Sequence, residues 1–199
     1  MGQYYRGAIL RDDTLTALDF RPCKLTEFSW LGNSAHAALM AMLEAKPGQV
    51  AFVGDYADDP DFREWPRIAE LYKALWQDET EGIHLIDNVP DGYDVYSKHI
   101  VNLTKGQYVD MVAYKARCRQ IAQDNPGKFL PFHNPLPLLT AAGNGLGGGD
   151  YWKDYPAGDQ VGCWYLDTIA VLDEAPEGMQ EFADIFVESS DVVITDWNQ

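Results

Sequence analysis

The sequence predicts an α+β protein, a mainly antiparallel sheet with two or three helices packed on it. Three observations carry that expectation. Strand-type runs come in pairs joined by short turns. Stretches of helical period fall between the pairs. The 199 residues show no internal repeat and no linker long enough to separate two folding units, so they read as a single domain over 1–199.

Taken in order, residues 4–20 predict a hairpin. Tyr5, Gly7 and Ile9 alternate with Arg6, Ala8 and Leu10, and Asp12-Asp13 supplies the turn. A helix follows, capped by Asn33 or Ser34, with Ala35, Ala38, Leu39, Met42 and Leu43 on one face and Pro47-Gly48 as its stop. Residues 49–53 are a short apolar strand. A second helix begins near Trp65-Pro66, with Ile68, Leu71, Tyr72, Leu75 and Trp76 as its stripe. Residues 83–87 are a short strand. Residues 99–104 and 107–114 form a strand pair around Lys105-Gly106, although the second run also reads as a helix through Arg119, and pattern alone leaves both open. A short helix is expected near Leu136–Ala142. Residues 161–173, apolar on both faces, read as a central strand. A last hairpin joins Ile185–Val187 to Val192–Thr195.

Charge excludes some functions. Fifteen Lys and Arg stand against 31 Asp and Glu, a net charge of −16. A phosphate backbone is bound by releasing counterions to a basic patch. The densest basic stretch here is only Lys115, Arg117 and Arg119, which speaks against direct nucleic-acid and anionic-membrane binding. The excess acid serves solubility or attracts a basic partner protein. Cys23, Cys118 and Cys163 form no CxxC pair and are odd in number, as expected of a reducing compartment. With no apolar run of about 20 residues and no signal-peptide pattern, the expected location is cytoplasmic.

The candidate ligand site is the run from Gly143 to Tyr151. Five glycines in seven residues permit left-handed backbone and close approach to a ligand, and successive N–H groups can cradle an anion. Asn144, Gly145, Gly147, Gly148, Gly149, Asp150, Tyr151 and Trp152 are the candidate ligand-binding residues, with His133 as a nearby acid or base. The spacing satisfies GxGxxG. Yet Tyr-Trp-Lys-Asp-Tyr-Pro follows, which cannot open a dinucleotide-binding helix, and no Gly-Lys-Ser/Thr marks a P-loop. A tight crossover past a bulky neighbour explains the glycines equally well. No catalytic set, cofactor or metal follows from the sequence. Asp55, Asp58, Asp59 and Asp61 miss the EF-hand spacing and read as a solvated loop, with Asp55, at a strand end, the exception worth following. His36, His84, His99 and His133 lack metal-ligand spacing.

The Met-Gly-Gln-Tyr-Tyr start, Gly-Asp-Tyr-Ala at 54–57, Gln-Tyr-Val-Asp at 107–110 and the segment from Pro135 to Tyr151 resemble an uncharacterised family of short bacterial and phage or prophage proteins. The Asn-x-Leu-Gly-Gly-Gly stretch also looks a little like the loop of ADP-ribose-binding macrodomains, where it follows an early strand rather than lying three-quarters along the chain. The family resemblance carries over no catalytic residues, and the chain has Leu103 where that family has histidine. It implies a mobile-element protein of the host bacterium's cytoplasm. Two functions are thus expected: a non-enzymatic binder or inhibitor of a basic host protein, such as an anti-defence protein in a basic groove, or a nucleotide-derivative binder or hydrolase built on the glycine run.

Overall fold

A computed structural model of the chain describes residues 3–19, 22–25, 34–57, 65–77, 83–84, 91–124, 126, 134–142 and 160–182. The fold is α+β, as expected. Nine strands form one open, mostly antiparallel sheet among these residues: β1 (Tyr5–Arg11), β2 (Thr14–Asp19), β3 (Gly48–Gly54), β4 (Ile83–His84), β5 (His99–Asn102), β6 (Gln107–Asp110), β7 (Ala141–Ala142), β8 (Thr168–Leu172) and β9 (Gln180–Glu181). Their order is β4-β2-β1-β3-β8-β5-β6-β9, with β7 attached to β3. The pairs β2–β4, β3–β7 and β6–β9 are parallel.

The β1–β2 hairpin turns on two residues, Asp12 and Asp13, at φ 48° and 61°. A two-residue turn with both centres left-handed matches the twist of the flanking strands, and aspartate tolerates that conformation. β1 then pairs along its length with β3, Tyr5 opposite Gly54 and Leu10 opposite Gln49.

Alternation sends the residues of these two strands to opposite faces. Tyr5, Ile9, Val50 and Phe52 join one apolar cluster with helix α1 (Ser34–Ala45), which supplies Ala38, Leu39, Met40 and Leu43. Ala8, Leu10, Ala51 and Val53 join a second cluster with α2 (Ile68–Tyr72), which supplies Ile68 and Leu71. β1 and β3 are therefore covered on both sides. α1 is buried more widely than one stripe, since His36 and Met40 are enclosed too. Arg11 holds its C-terminal end, donating to the carbonyls of Met42, Lys46 and Pro47 at 2.8, 2.6 and 3.1 Å. The Met42 carbonyl also accepts from the Lys46 amide at 3.1 Å, and a cation at a helix C-terminus is favoured by the helix dipole.

α2 passes into a π-helical turn at Lys73–Gln77. Such a turn disturbs the i→i−4 ladder, and Arg6 donates to the Leu75 carbonyl at 2.7 Å while its guanidinium lies 4.9 Å from the Trp76 ring centroid.

The ambiguous run at 107–119 resolves into both alternatives in turn. β6 ends at Asp110 and helix α3 (Met111–Asp124) begins at the next residue. Asp110 Oδ1 accepts from the amides of Val112 and Ala113 at 2.8 and 3.0 Å, an N-cap that ends the strand by starting the helix. Helix α4 (Pro135–Leu139) is capped the same way by buried Asn134, whose Oδ1 accepts from the Leu136 amide at 2.9 Å. The expected helix reaches only Leu139, and Ala141–Ala142 is the strand β7.

The expected strand at 161–173 is corrected. Only Thr168–Leu172 is strand, and residues 161–166 form turns. Gly162 and Leu166 hold φ of 71° and 57°, which no strand accommodates. The amides of this stretch bond elsewhere: Gly162 to the Leu138 carbonyl, Trp164 to that of Leu139 and Leu166 to that of Val50. Its apolar composition reflects Trp164, fully enclosed in the core, rather than a ladder. The expected hairpin at 185–195 lies outside the described residues, as does the rest of the 83–87 strand beyond His84.

Candidate functional site

His133, Asn144, Gly145, Gly147, Gly148, Gly149, Asp150, Tyr151 and Trp152 all lie outside the described residues. The structure instead describes the frame that flanks them. β3 and β7 run parallel, Phe52 opposite Ala141 and Val53 opposite Ala142. Their C-terminal ends lie side by side. β3 ends at Gly54 and Asp55 follows it, and Gly143 is next in sequence after β7. The C-terminal ends of parallel strands are where open α/β sheets bind ligands.

Asp55 has a structural task at that end. Its Oδ1 accepts from the Tyr4 amide at 3.1 Å, and its own amide donates to the Tyr4 carbonyl at 2.8 Å. The carboxylate closes the β1–β3 pair. Tyr72 adds a long hydrogen bond of 3.4 Å to the Asp55 carbonyl.

Past the glycine run the chain re-enters at Gln160, and the 161–167 turns carry a polar network that sequence reasoning missed. Asn102, fully buried at the end of β5, donates from Nδ2 to Asp167 Oδ2 at 2.7 Å. Its Oδ1 accepts from the amides of Thr104 and Lys105, both at 3.0 Å. Lys105 Nζ lies 3.4 Å from Asp167 Oδ2 and donates to the Cys163 carbonyl. Trp164 Nε1 donates to Gln107 Oε1 at 3.0 Å. Buried polar groups must be paired, because each orphan costs about 1–3 kcal/mol. Here each partner named is drawn into a shared clasp. The Asn-Leu-Thr-Lys-Gly turn was a legible signal for Asn102. Asp167, 65 residues away, had none.

The groups with chemical potential in this region are not activated. Burial pushes the Cys163 thiol up to about 11, the opposite of what a thiolate nucleophile requires. Burial likewise pushes the Tyr165 phenol up, while its OH donates to the Pro66 carbonyl at 3.1 Å.

A second polar cluster lies at the other end of the sheet. Lys98 Nζ bonds Glu44 Oε1 at 2.7 Å and Asp173 Oδ1 at 2.6 Å, joining α1, the start of β5 and the end of β8. The two carboxylates raise the pKa of the ammonium, so it stays charged. The Tyr93 phenol beside it is pushed up by burial first and by Glu44 second. His99 Nδ1 lies 3.1 Å from the Asp173 carbonyl and Nε2 lies 3.8 Å from Asp110 Oδ2.

Beyond β8 the chain is acidic and exposed. Asp173, Glu174, Glu177 and Glu181 all face solvent, the last of them in β9, which adds to β6 at the end of the strand order. Asp173 pairs with Lys98, whereas Glu174, Glu177 and Glu181 make no ion pair among the described residues. The acids at the far hairpin differ: Asp12 meets Lys46 at 3.1 Å and Asp13 meets Arg67 at 3.9 Å. Among the described residues no group of three or more His, Cys, Asp or Glu side chains is arranged to hold a metal ion, and no helix is long and apolar enough to cross a membrane.

Neither protein-family models, nor curated proteins, nor solved structures provide a significant match to this chain.

Proposed function

We propose that the protein is a non-enzymatic binder of a basic partner protein, engaging it through the acidic edge at residues 173–181. The observation that carries this reading is the contrast in pairing. Acids at the β1–β2 turn have cations beside them, whereas Glu174, Glu177 and Glu181 stand exposed with none among the described residues. Like charges on one edge repel one another, and a cation-bearing partner relieves that repulsion and is steered toward the edge electrostatically. The net charge of −16 adds a long-range field of the same sign. The phage and prophage resemblance fits an inhibitor that occupies a basic groove of a host protein. Reversing Glu177 and Glu181 to Lys should abolish stoichiometric capture of that partner. Capture unchanged by the reversal defeats the proposal.

A small-molecule reading keeps one specific support. The glycine run follows β7, whose C-terminal end lies beside that of β3. A thermal-shift screen against nucleotides and divalent ions tests it. A specific ligand at one hundred times its dissociation constant raises stability by about 2.7 kcal/mol. A flat response across the screen removes this reading.

A further inference from the structure

We infer that Arg6 holds a small-molecule oxyanion, a carboxylate or a phosphate, beside the carboxyl end of β3. The site needs neither the glycine run nor the acidic edge. One row of the sheet forms its base. Arg6 of β1 stands opposite Val53 of β3, and Val53 stands opposite Ala142 of β7. Residues in register share a face, and Val53 and Ala142 lie in the cluster that α2 covers. Arg6 therefore points to that face, at the end of the sheet where the parallel pair finishes and where open sheets take ligands. The π-helical turn Lys73–Gln77 flanks it. Leu75 offers its carbonyl to Arg6 Nη1 at 2.7 Å, and the Trp76 ring centroid lies 4.9 Å from the guanidinium carbon. Trp76 is itself fixed, donating from Nε1 to the Val53 carbonyl at 3.1 Å. Single π-turns of this kind recur at functional sites.

These contacts orient the guanidinium without neutralising it. Arginine carries five N–H donors in a rigid fork. Nη1 is taken by Leu75. Nε is enclosed and has no hydrogen-bond partner. An orphaned donor is costly, so the edge formed by Nε and Nη2 favours an incoming acceptor. Two parallel N–H bonds from that edge match two oxygens of a carboxylate or a phosphate. The side chain as a whole is only half-buried, which gives such a group a way in. The protein's own described carboxylates do not take the place. Lys46, Arg67, Lys98 and Lys105 pair with acids, whereas Arg6 forms no ion pair among the described residues. Asp55, one residue past β3, has Oδ1 on the Tyr4 amide instead. The net charge of −16 opposes anions at long range. That field is screened beyond about 8 Å at physiological salt, whereas the fork acts at contact.

Titration of the unmodified protein with inorganic phosphate, and separately with acetate, tests the site at constant ionic strength. Proton–nitrogen spectra read the Arg6 Nε–H and Trp76 Nε1–H resonances. At least one anion should move both along a single saturable curve, and the anion that does so separates phosphate from carboxylate. Arg6→Gln removes the fork and should abolish saturation at the Trp76 signal. Arg6→Lys keeps the charge without the fork and should weaken binding about tenfold, the worth of a charge-assisted hydrogen bond. Arg119→Gln, an equal loss of charge at an exposed position on α3, should leave the curve unchanged. Flat or linear responses to both anions in the unmodified protein overturn the inference, a result that needs no variant to fold. A saturable Trp76 curve that persists in Arg6→Gln overturns it too, and so does equal weakening in Arg6→Gln and Arg119→Gln.

Discussion

The two halves of the sheet are held together differently. β1 and β3 lie between two apolar clusters, with α1 on one face and α2 on the other. β5, β6 and β8 share the first of those clusters, but they also carry polar clasps: Asn102 with Asp167 and Lys105, Trp164 with Gln107, Lys98 with Glu44 and Asp173. Apolar burial is non-directional and supplies most of the stability. Hydrogen-bonded clasps add little net energy but are costly to break singly. The first half is thus the folding scaffold. The second is where position is specified, and it bears the exposed acidic edge.

That contrast predicts a graded series of responses to mutation. The largest belongs to the scaffold. Phe52, 1% exposed at the centre of β3, should lose about 3–5 kcal/mol as Phe52→Ala in a denaturant melt. Gly162→Ala should come next. Its φ of 71° costs an L-residue about 1–2 kcal/mol, and a Cβ would lie 2.3 Å from the Ala141 carbonyl and 2.6 Å from the Trp65 ring. Overpacking adds about 1–3 kcal/mol. Gly106→Ala, at φ 65° with nothing within 4 Å of the new methyl, should show the conformational cost alone. Equal losses for the two would mean that the 161–166 turns yield to crowding.

Breaking a clasp should cost less than emptying the scaffold. Asn102→Ala leaves the Thr104 and Lys105 amides and Asp167 short of a partner, for a loss of about 1–3 kcal/mol. A loss as large as that of Phe52→Ala would erase the distinction between the halves. Alkali gives a gentler test. The Cys163 thiol is raised to about 11 by burial, from an ordinary value near 9. A raised group contributes its full stability below the unfolded value and loses it as pH climbs through the folded one. Stability should therefore fall between pH 9 and about 11, less steeply in Cys163→Ala. Identical slopes in the two proteins would show that this thiol is not enclosed.

Legibility in the sequence divides along the same line. Local signals were readable. The Asp12-Asp13 turn, the Ala35–Leu43 stripe of α1 and the alternation of β1 all depend on near neighbours, and the structure follows them. Non-local ones were not. The parallel pairs β2–β4 and β6–β9 join segments far apart in the chain, and no periodicity announces them. Residues 161–167 misled because apolar composition was read as a ladder, whereas their amides bond to α4 and β3. At 107–119 the strand and helix patterns abut without a breaker, and only the cap at Asp110 marks the join. The site was legible as a glycine run. The clasp residues Asp167, Glu44 and Asp173 were not, because each acquires its role from a partner at least 54 residues away.

The acidic edge should respond least in stability and most in binding. Exposed substitutions usually shift stability by no more than about 0.5 kcal/mol. Glu177→Lys with Glu181→Lys should melt like the parent, and so should Asp91→Lys with Asp124→Lys, which changes net charge equally at exposed positions elsewhere. Capture of the proposed basic partner from cell lysate, quantified for the parent and both double variants across a salt series, tests the central claim most directly. The account predicts binding that weakens with salt, survives the Asp91/Asp124 reversal and is lost in the Glu177/Glu181 reversal. Equal loss in both variants, or in neither, would contradict it.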